Sequence, residues 1–168
     1  QKEQHELEKI LETKNFTWDT KDKPVHKFDI LVEGVFTLNT GTHAWTNNAN
    51  VQGQKGSHIS TSHFKNETGT FYSRGQTVFD CERGFDNYRQ IEVWGDCKIH
   101  AKAGSITNHP GAKFHQRNIC DKQAFPNVQN QVTFQAAQNV ININGEIKIQ
   151  ELITITAPQF INTYPSPE

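Results

Sequence analysis

Residues 90 to 105 read QIEVWGDCKIHAKAGS. From Ile91, every second residue is apolar or small: Val93, Gly95, Cys97, Ile99, Ala101 and Ala103. Between them stand Glu92, Trp94, Asp96, Lys98, His100 and Lys102, all polar or charged except the tryptophan. A period of two puts the first set on one face of a strand and the second on the other. No helix accommodates that pattern, so this stretch is extended, with one dry face and one wet face.

The same period recurs along the chain. Phe28, Ile30, Val32, Gly34, Phe36 and Leu38 alternate with other residues, as do Val132, Phe134 and Ala136. The predicted core holds Phe28, Ile30, Val32, Ile91, Val93, Cys97, Ile99, Phe134, Ile141, Ile143 and Ile147. Gly95-Asp96 reads as the turn joining two arms of a hairpin over residues 90 to 103. Asn144-Gly145, between Ile141-x-Ile143 and Ile147-x-Ile149, is the signature of a tight type I′ hairpin. Residues 3 to 14 show a narrow apolar stripe, Leu7, Ile10 and Leu11, among charged residues, which predicts a short helix. No internal repeat is read, and strands do not alternate with helices, which disfavours a parallel α/β fold. The expected fold is all-β, a two-sheet antiparallel β-sandwich of jelly-roll type with a short N-terminal helix. The expected organisation is a helical extension over 1–23 and a sandwich domain over 24–168.

A chain of 168 residues can bury one sizeable core. Its net charge of -1 implies neither nucleic acid nor an acidic membrane surface as partner. No apolar run approaches the ~20 residues of a membrane helix, so no membrane insertion is expected. The chain opens at Gln1 and contains no methionine, which reads as removal of an upstream segment. Cys81, Cys97 and Cys120 have no C-x-x-C spacing, which argues against zinc. One disulfide with one free thiol, or three free thiols, both fit. Asn15-Phe16-Thr17 and Asn66-Glu67-Thr68 are N-glycosylation acceptor triplets and lean towards a secreted, extracellular protein.

Two motifs bear on family. YRQIEVWGDCKIHAKAGS is followed by Phe114-His115-Gln116-Arg117, and the chain later runs Ile141-Asn142-Ile143-Asn144-Gly145-Glu146-Ile147-Lys148-Ile149. In that order they resemble the later strands of galectins, the S-type lectins. The resemblance implies a jelly-roll sandwich and a sugar groove over residues 58 to 83. Only part of the sugar signature is matched. Ile59, Thr61 and His63 stand at the first His, Asn and Arg positions, Ser73 near the second Asn, Phe79 at the Trp, Glu82 at the Glu, and Arg83 one residue from the final Arg. The ligand-binding residues implied are therefore His63, Phe79, Glu82 and Arg83. Phe79 would stack on a ring, His63 and Arg83 would donate to hydroxyls, and Glu82 would orient them. With isoleucine at the principal histidine position, β-galactosides should bind weakly or not at all.

Other chemistry is thinly represented. His58 and His63 fall on opposite faces of a strand, and His109 and His115 flank a Pro-Gly turn. No Asp or Glu is read at a supporting spacing, so neither a metal nor a cofactor is expected. There is no G-x-S-x-G, and Asp80 with Glu82 reads as a solvated edge. Trp94, His100 and Lys102 share the wet face of their strand. They form a possible exposed binding face, unless a helix or loop covers Trp94. The function expected is non-enzymatic binding of a glycan or protein ligand. A secreted structural or interaction domain (adhesin, toxin or effector) and a glycan-active hydrolase or lyase on a sandwich are the alternatives.

Overall fold

The computed structural model describes residues 9–20 and 25–164. The described residues hold strands and no helix, and they coil through seven turns of a parallel β-solenoid. The first turn comprises β1 (Lys9–Glu12), β2 (Phe16–Asp19) and β3 (Val25–His26). The second comprises β4 (Asp29–Val32), β5 (Phe36–Asn39) and β6 (Trp45–Asn47), the third β7 (Asn50–Gly53), β8 (Gly56–Thr61) and β9 (Phe64–Asn66). The fourth and fifth turns have two strands each, β10 (Thr70–Cys81) with β11 (Phe85–Asn87), then β12 (Gln90–Ala101) with β13 (Ile106–Asn108). The sixth comprises β14 (Lys113–Arg117), β15 (Gln131–Ala136) and β16 (Asn139–Ile143), the seventh β17 (Glu146–Ile149), β18 (Leu152–Thr156) and β19 (Gln159–Thr163).

These strands build three walls. The first runs β1, β4, β7, the start of β10 and of β12, β14 and β17. The second runs β2, β5, β8, the rest of β10 and of β12, β15 and β18. The third runs β3, β6, β9, β11, β13, β16 and β19. Because β10 and β12 pass through the corner between the first two walls, those walls form one 12-stranded sheet, and the third is a 7-stranded sheet. Every pairing between the described strands is parallel and in register.

This overturns the antiparallel sandwich and the galectin resemblance that rested on it. Alternation survives because a solenoid wall also has one dry and one wet face. It reports burial and is silent on which strand lies alongside. The hairpin expected over 90–103 is one twelve-residue strand, β12, bent at Gly95. Gly95 takes φ +95, and a Cβ there would lie 2.6 Å from the Gly75 carbonyl oxygen one turn below. The glycine turns a corner and does not reverse the chain. Asn144, at φ 49, likewise turns a corner. It leads from β16, which pairs β13 and β19, into β17, which pairs β14. No hairpin forms there. The helix expected over 3–14 is also corrected, since Lys9–Glu12 is β1 and pairs β4. Residues 3–8, and the boundary set near residue 23, lie outside the described residues.

The interior is filled by columns of side chains one turn apart. Trp45, Phe64, Phe85, Ile106 and Val140 form one column, and Phe71, Ile91 and Phe114 another. Leu38, Ile59, Phe79, Ile99 and Phe134 form a third. All are buried. The core expected from Phe28, Ile30, Val32, Ile91, Val93, Cys97, Ile99 and Phe134 is buried as read. Ile141, Ile143 and Ile147 are only partly buried, and in β16 Val140 and Asn142 point inward in place of the two isoleucines.

Asn142 belongs to a ladder of amides at the corner between the third and first walls. Asn47 donates Nδ2–H to Oδ1 of Asn66, Asn66 to Asn87, Asn87 to Asn108, Asn108 to Asn142 and Asn142 to Asn162, at 2.8–3.0 Å. The separations are 19, 21, 21, 34 and 20 residues. They are the internal repeat that the sequence reading did not find. The 34 reflects an insertion over 118–130, where Ile119, Phe125 and Val128 make a small second core against Trp94. The second Nδ2–H of the inner asparagines reaches backbone carbonyls, as from Asn87 to Lys113 at 3.0 Å. Buried amides left without partners cost more than a hydrogen bond yields, so the ladder locks the register of the turns.

Replacing Asn87 by Ala strands the Asn66 donor and the acceptors on Asn108 and Lys113. It should cost about 2–5 kcal/mol in urea denaturation. The same change at the exposed Asn162 should cost about 0.5 kcal/mol or less. Equal losses at the two positions would show that the ladder is not what fixes the turns.

Candidate functional site

Parallel stacking gathers side chains that lie about 20 residues apart in sequence, and the wall chemistry follows from that. The most organised polar cluster lies on the third wall, where His63, Asp86 and His109 occupy three successive turns. Asp86 Oδ2 meets His63 Nε2 at 2.5 Å, and Asp86 Oδ1 meets His109 Nε2 at 2.7 Å. Both separations are 23 residues. The Tyr88 ring stacks on His109 with centroids 3.9 Å apart and planes 10° apart, and Lys65 Nζ lies 5.9 Å from the Tyr88 ring.

Asp86 is an acceptor for both imidazoles, which makes each of them an Nε2–H tautomer or an imidazolium. Burial pushes its carboxyl up, but the hydrogen bonds from His63 and His109 outweigh that and hold it below the ordinary aspartate range. This arrangement could relay a proton. It is poorly made for a metal, because the two imidazoles take opposite oxygens of one carboxylate and do not converge. Among the described residues no three His, Cys, Asp or Glu side chains group as metal ligands.

A second cluster lies on the first wall. The Trp94 ring is sandwiched between the guanidinium groups of Arg74 and Arg117, each 5.8 Å from its centroid. Trp94 Nε1 donates to Glu92 Oε2 at 2.6 Å, and Phe125 carries Arg74 at 5.4 Å and Lys55 at 4.9 Å. Two smaller networks complete the walls. Lys102 meets Glu82 at 3.1 Å and Asp80 at 3.4 Å, and Glu146 Oε2 meets His115 at 2.7 Å and Lys148 at 3.1 Å.

Of the residues expected to form a sugar groove, His63, Glu82 and Arg83 lie at one corner on successive turns, whereas Phe79 is turned away from them into the core. Phe79 is fully buried, its ring 4.9 Å from that of Phe64 and 5.0 Å from those of Phe71 and Phe85. Its ring is unavailable to a ligand. His63 is bound to Asp86, Glu82 pairs with Lys102, and Arg83 is exposed at the corner before β11. Trp94, His100 and Lys102 do not share one surface. The corner at Gly95 leaves Trp94 on the first wall and the other two on the second, and the loop over 118–130 covers Trp94. Of the glycosylation acceptors, Asn15 is exposed and its Oδ1 accepts the Val35 N–H at 2.8 Å. Asn66 is completely buried in the ladder, so the folded chain cannot receive a glycan there.

Asp86, Tyr88 and His109 were missed as a group, and Asp86 corrects the reading that no carboxylate supports the histidines. The signal was the repeated 23-residue spacing, which has meaning only once the chain is known to coil. No family model, curated protein or solved structure matches this chain.

The three cysteines are free. Cys81 and Cys97 are buried and Cys120 is exposed. Burial pushes the Cys81 thiol up to about 12 and raises Cys97 as well. A thiol reagent added to the folded protein should label Cys120 rapidly, and the other two only on unfolding. Fast labelling of three thiols by mass spectrometry would contradict the placement of β10 and β12.

Because Asp86 is depressed on folding, its contribution to stability is present above the unfolded aspartate value, about pH 4, and is lost as pH falls through the lower folded value. Asp86→Asn should therefore unfold earlier than the parent near neutral pH, with the gap closing in acid. Thermal midpoints across pH check this, and a gap that widens in acid would refute it.

Proposed function

We propose that this chain is a non-enzymatic structural and interaction module: a stiff rod, about 34 Å long over the described turns at ~4.8 Å per turn, that works through contacts made by its walls. The observation that supports this most is the asparagine ladder. Five amide-to-amide bonds run through the turns from Asn47 to Asn162, with apolar columns beside them, so the interior is devoted to holding the turns in register. Three groups of charged side chains on the walls are paired among themselves. Asp86 has its two histidines, Glu146 has His115 and Lys148, and Lys102 has Asp80 and Glu82. Groups engaged in that way stiffen a surface and leave little free acid or base for turnover.

The competing reading is acid–base chemistry on a polysaccharide at Asp86, which the two histidines and the stacked Tyr88 favour. One experiment separates the two. The protein is incubated with a panel of neutral and uronic-acid polysaccharides, and reducing ends and the absorbance of unsaturated uronates are followed. The expected result is no turnover. Turnover that is lost in Asp86→Asn would overturn the proposal and make the third wall an active site.

A further inference from the structure

The charges at one place on the first wall do not balance. Lys55, at the corner before β8, Arg74 on β10 and Arg117 at the end of β14 gather round the rings of Trp94 and Phe125, at 4.9–5.8 Å. Arg74, Trp94 and Arg117 are register partners on successive turns. One carboxylate reaches the group: Glu92 Oε2 accepts the Trp94 Nε1–H at 2.6 Å and lies 3.8 Å from Arg117 Nε. Among the described residues no carboxylate pairs with Arg74 or Lys55, and Arg74 Nε is buried without a hydrogen-bond acceptor. Lys102 and Lys148, by contrast, both have carboxylate partners. A buried donor without an acceptor is an exception in a folded chain, and it calls for a partner from outside. Lys55 and Arg117 are exposed, so such a partner has access to the cluster.

We propose that this face of the first wall binds an acidic polysaccharide through Lys55, Arg74 and Arg117. The proposal rests on reading the chain as a non-enzymatic interaction module, and it names the class of partner. Lys55, Arg74 and Arg117 stand on the third, fourth and sixth turns, so they span about 14 Å along the rod. That span suits a linear polymer with an oxyanion on successive or alternate units better than one small anion. Guanidinium forks take carboxylate or sulfate oxygens two at a time. Gln52 and Tyr72, register partners in the neighbouring column, offer an amide and a phenol to sugar hydroxyls. Nucleic acid lacks this fit. The Trp94 ring lies between two guanidinium groups and Phe125 is buried, so neither ring is open for a base to stack on.

Trp94 is the pillar of this site. Two guanidinium groups repel each other, and the negative faces of the ring between them lower that cost and set their spacing. The loop over 118–130 holds the cluster from the side. Asp96 ties down the N–H groups of Gln129 and Gln131, and Phe125 of the same loop lies beneath Arg74 and Lys55. The cations are therefore in place before a ligand arrives, which lowers the ordering cost of binding.

Titration calorimetry of the full chain against polygalacturonate, dextran sulfate and neutral dextran tests this, the first two separating carboxylate from sulfate as the oxyanion. At least one acidic polymer should bind, neutral dextran should not, and added salt should weaken the binding. Lys55→Glu and Arg117→Glu, both at exposed positions, should each weaken it by about tenfold or more. Arg74→Lys keeps the charge, loses the fork and should weaken it by about threefold or more. Lys98→Glu, at an exposed position on the second wall, should leave it within about twofold of the parent. Near-ultraviolet circular dichroism confirms that each variant is folded. A Kd weaker than about 1 mM for both acidic polymers, equal binding of neutral dextran, or tighter binding of DNA would overturn the proposal. So would a loss in Lys98→Glu as large as that in Arg117→Glu. The titrations are repeated on Asp86→Asn, and binding lost there would also overturn it, by moving the ligand to the third wall. Turnover lost in Asp86→Asn sinks the module reading, and Arg117→Glu then still decides whether the first wall binds.

Discussion

A buried amide that must find partners in the turns above and below holds this rod together. Asn66, Asn87 and Asn108 each accept from one neighbour and donate to the next, and each sends a second N–H to a backbone carbonyl. None has water to fall back on, since all are buried. A slip of one residue would carry an asparagine to the wet face and an outer residue into the core, losing the ladder and the columns together. Apolar packing alone tolerates exchanges of similar shape, whereas directional bonds do not. The ladder therefore sets the register, and the register sets what meets on the walls.

In-register stacking brings residues of successive turns into contact, so a run of like charges at that spacing would be repelled. The walls avoid this by alternating. Arg74, Trp94 and Arg117 follow one another, with a ring between the two cations. Tyr72, Glu92, His115 and Lys148 make the neighbouring column. His63 and His109 enclose one aspartate. Wall chemistry of this kind is a product of the coil, and no local motif holds it. In the last described turn the isoleucines are partly buried and Phe160 is exposed, although their partners one turn earlier are buried.

The loop over 118–130 shows how the coil absorbs irregularity. It lies between β14 and β15, and Asp96 receives the Gln129 and Gln131 N–H groups there. Asn130, at φ 58, accepts from Ile119 N–H at 2.8 Å and donates to its carbonyl. With its ends tied in this way, the insertion closes over Trp94 and leaves the register of the walls intact.

How much was legible differs from strand to strand. In β4, β5 and β12 the inward residues were read in the correct phase, because a wall with a dry and a wet side needs alternation, whatever lies beside it. In β16 the phase was reversed. Ile141 and Ile143 looked like core, yet Asn142 points inward, since its amide is matched by those of Asn108 and Asn162. Hydrophobicity does not anticipate a polar side chain whose partners lie 34 and 20 residues away. Gly95 and Asn144-Gly145 were read as reversals for a related reason: positive φ permits a hairpin or a corner, and only the neighbouring strand decides between them. By itself, the sequence determined that β4, β5, β12 and β15 are extended, which of their faces is dry, and that the backbone bends at Gly95 and Asn144, because these depend on each residue's own preferences. Strand direction, the inward asparagines and the meeting of His63, Asp86 and His109 were decided only by the tertiary structure. Each depends on a partner one turn away, and nothing local in the sequence names it.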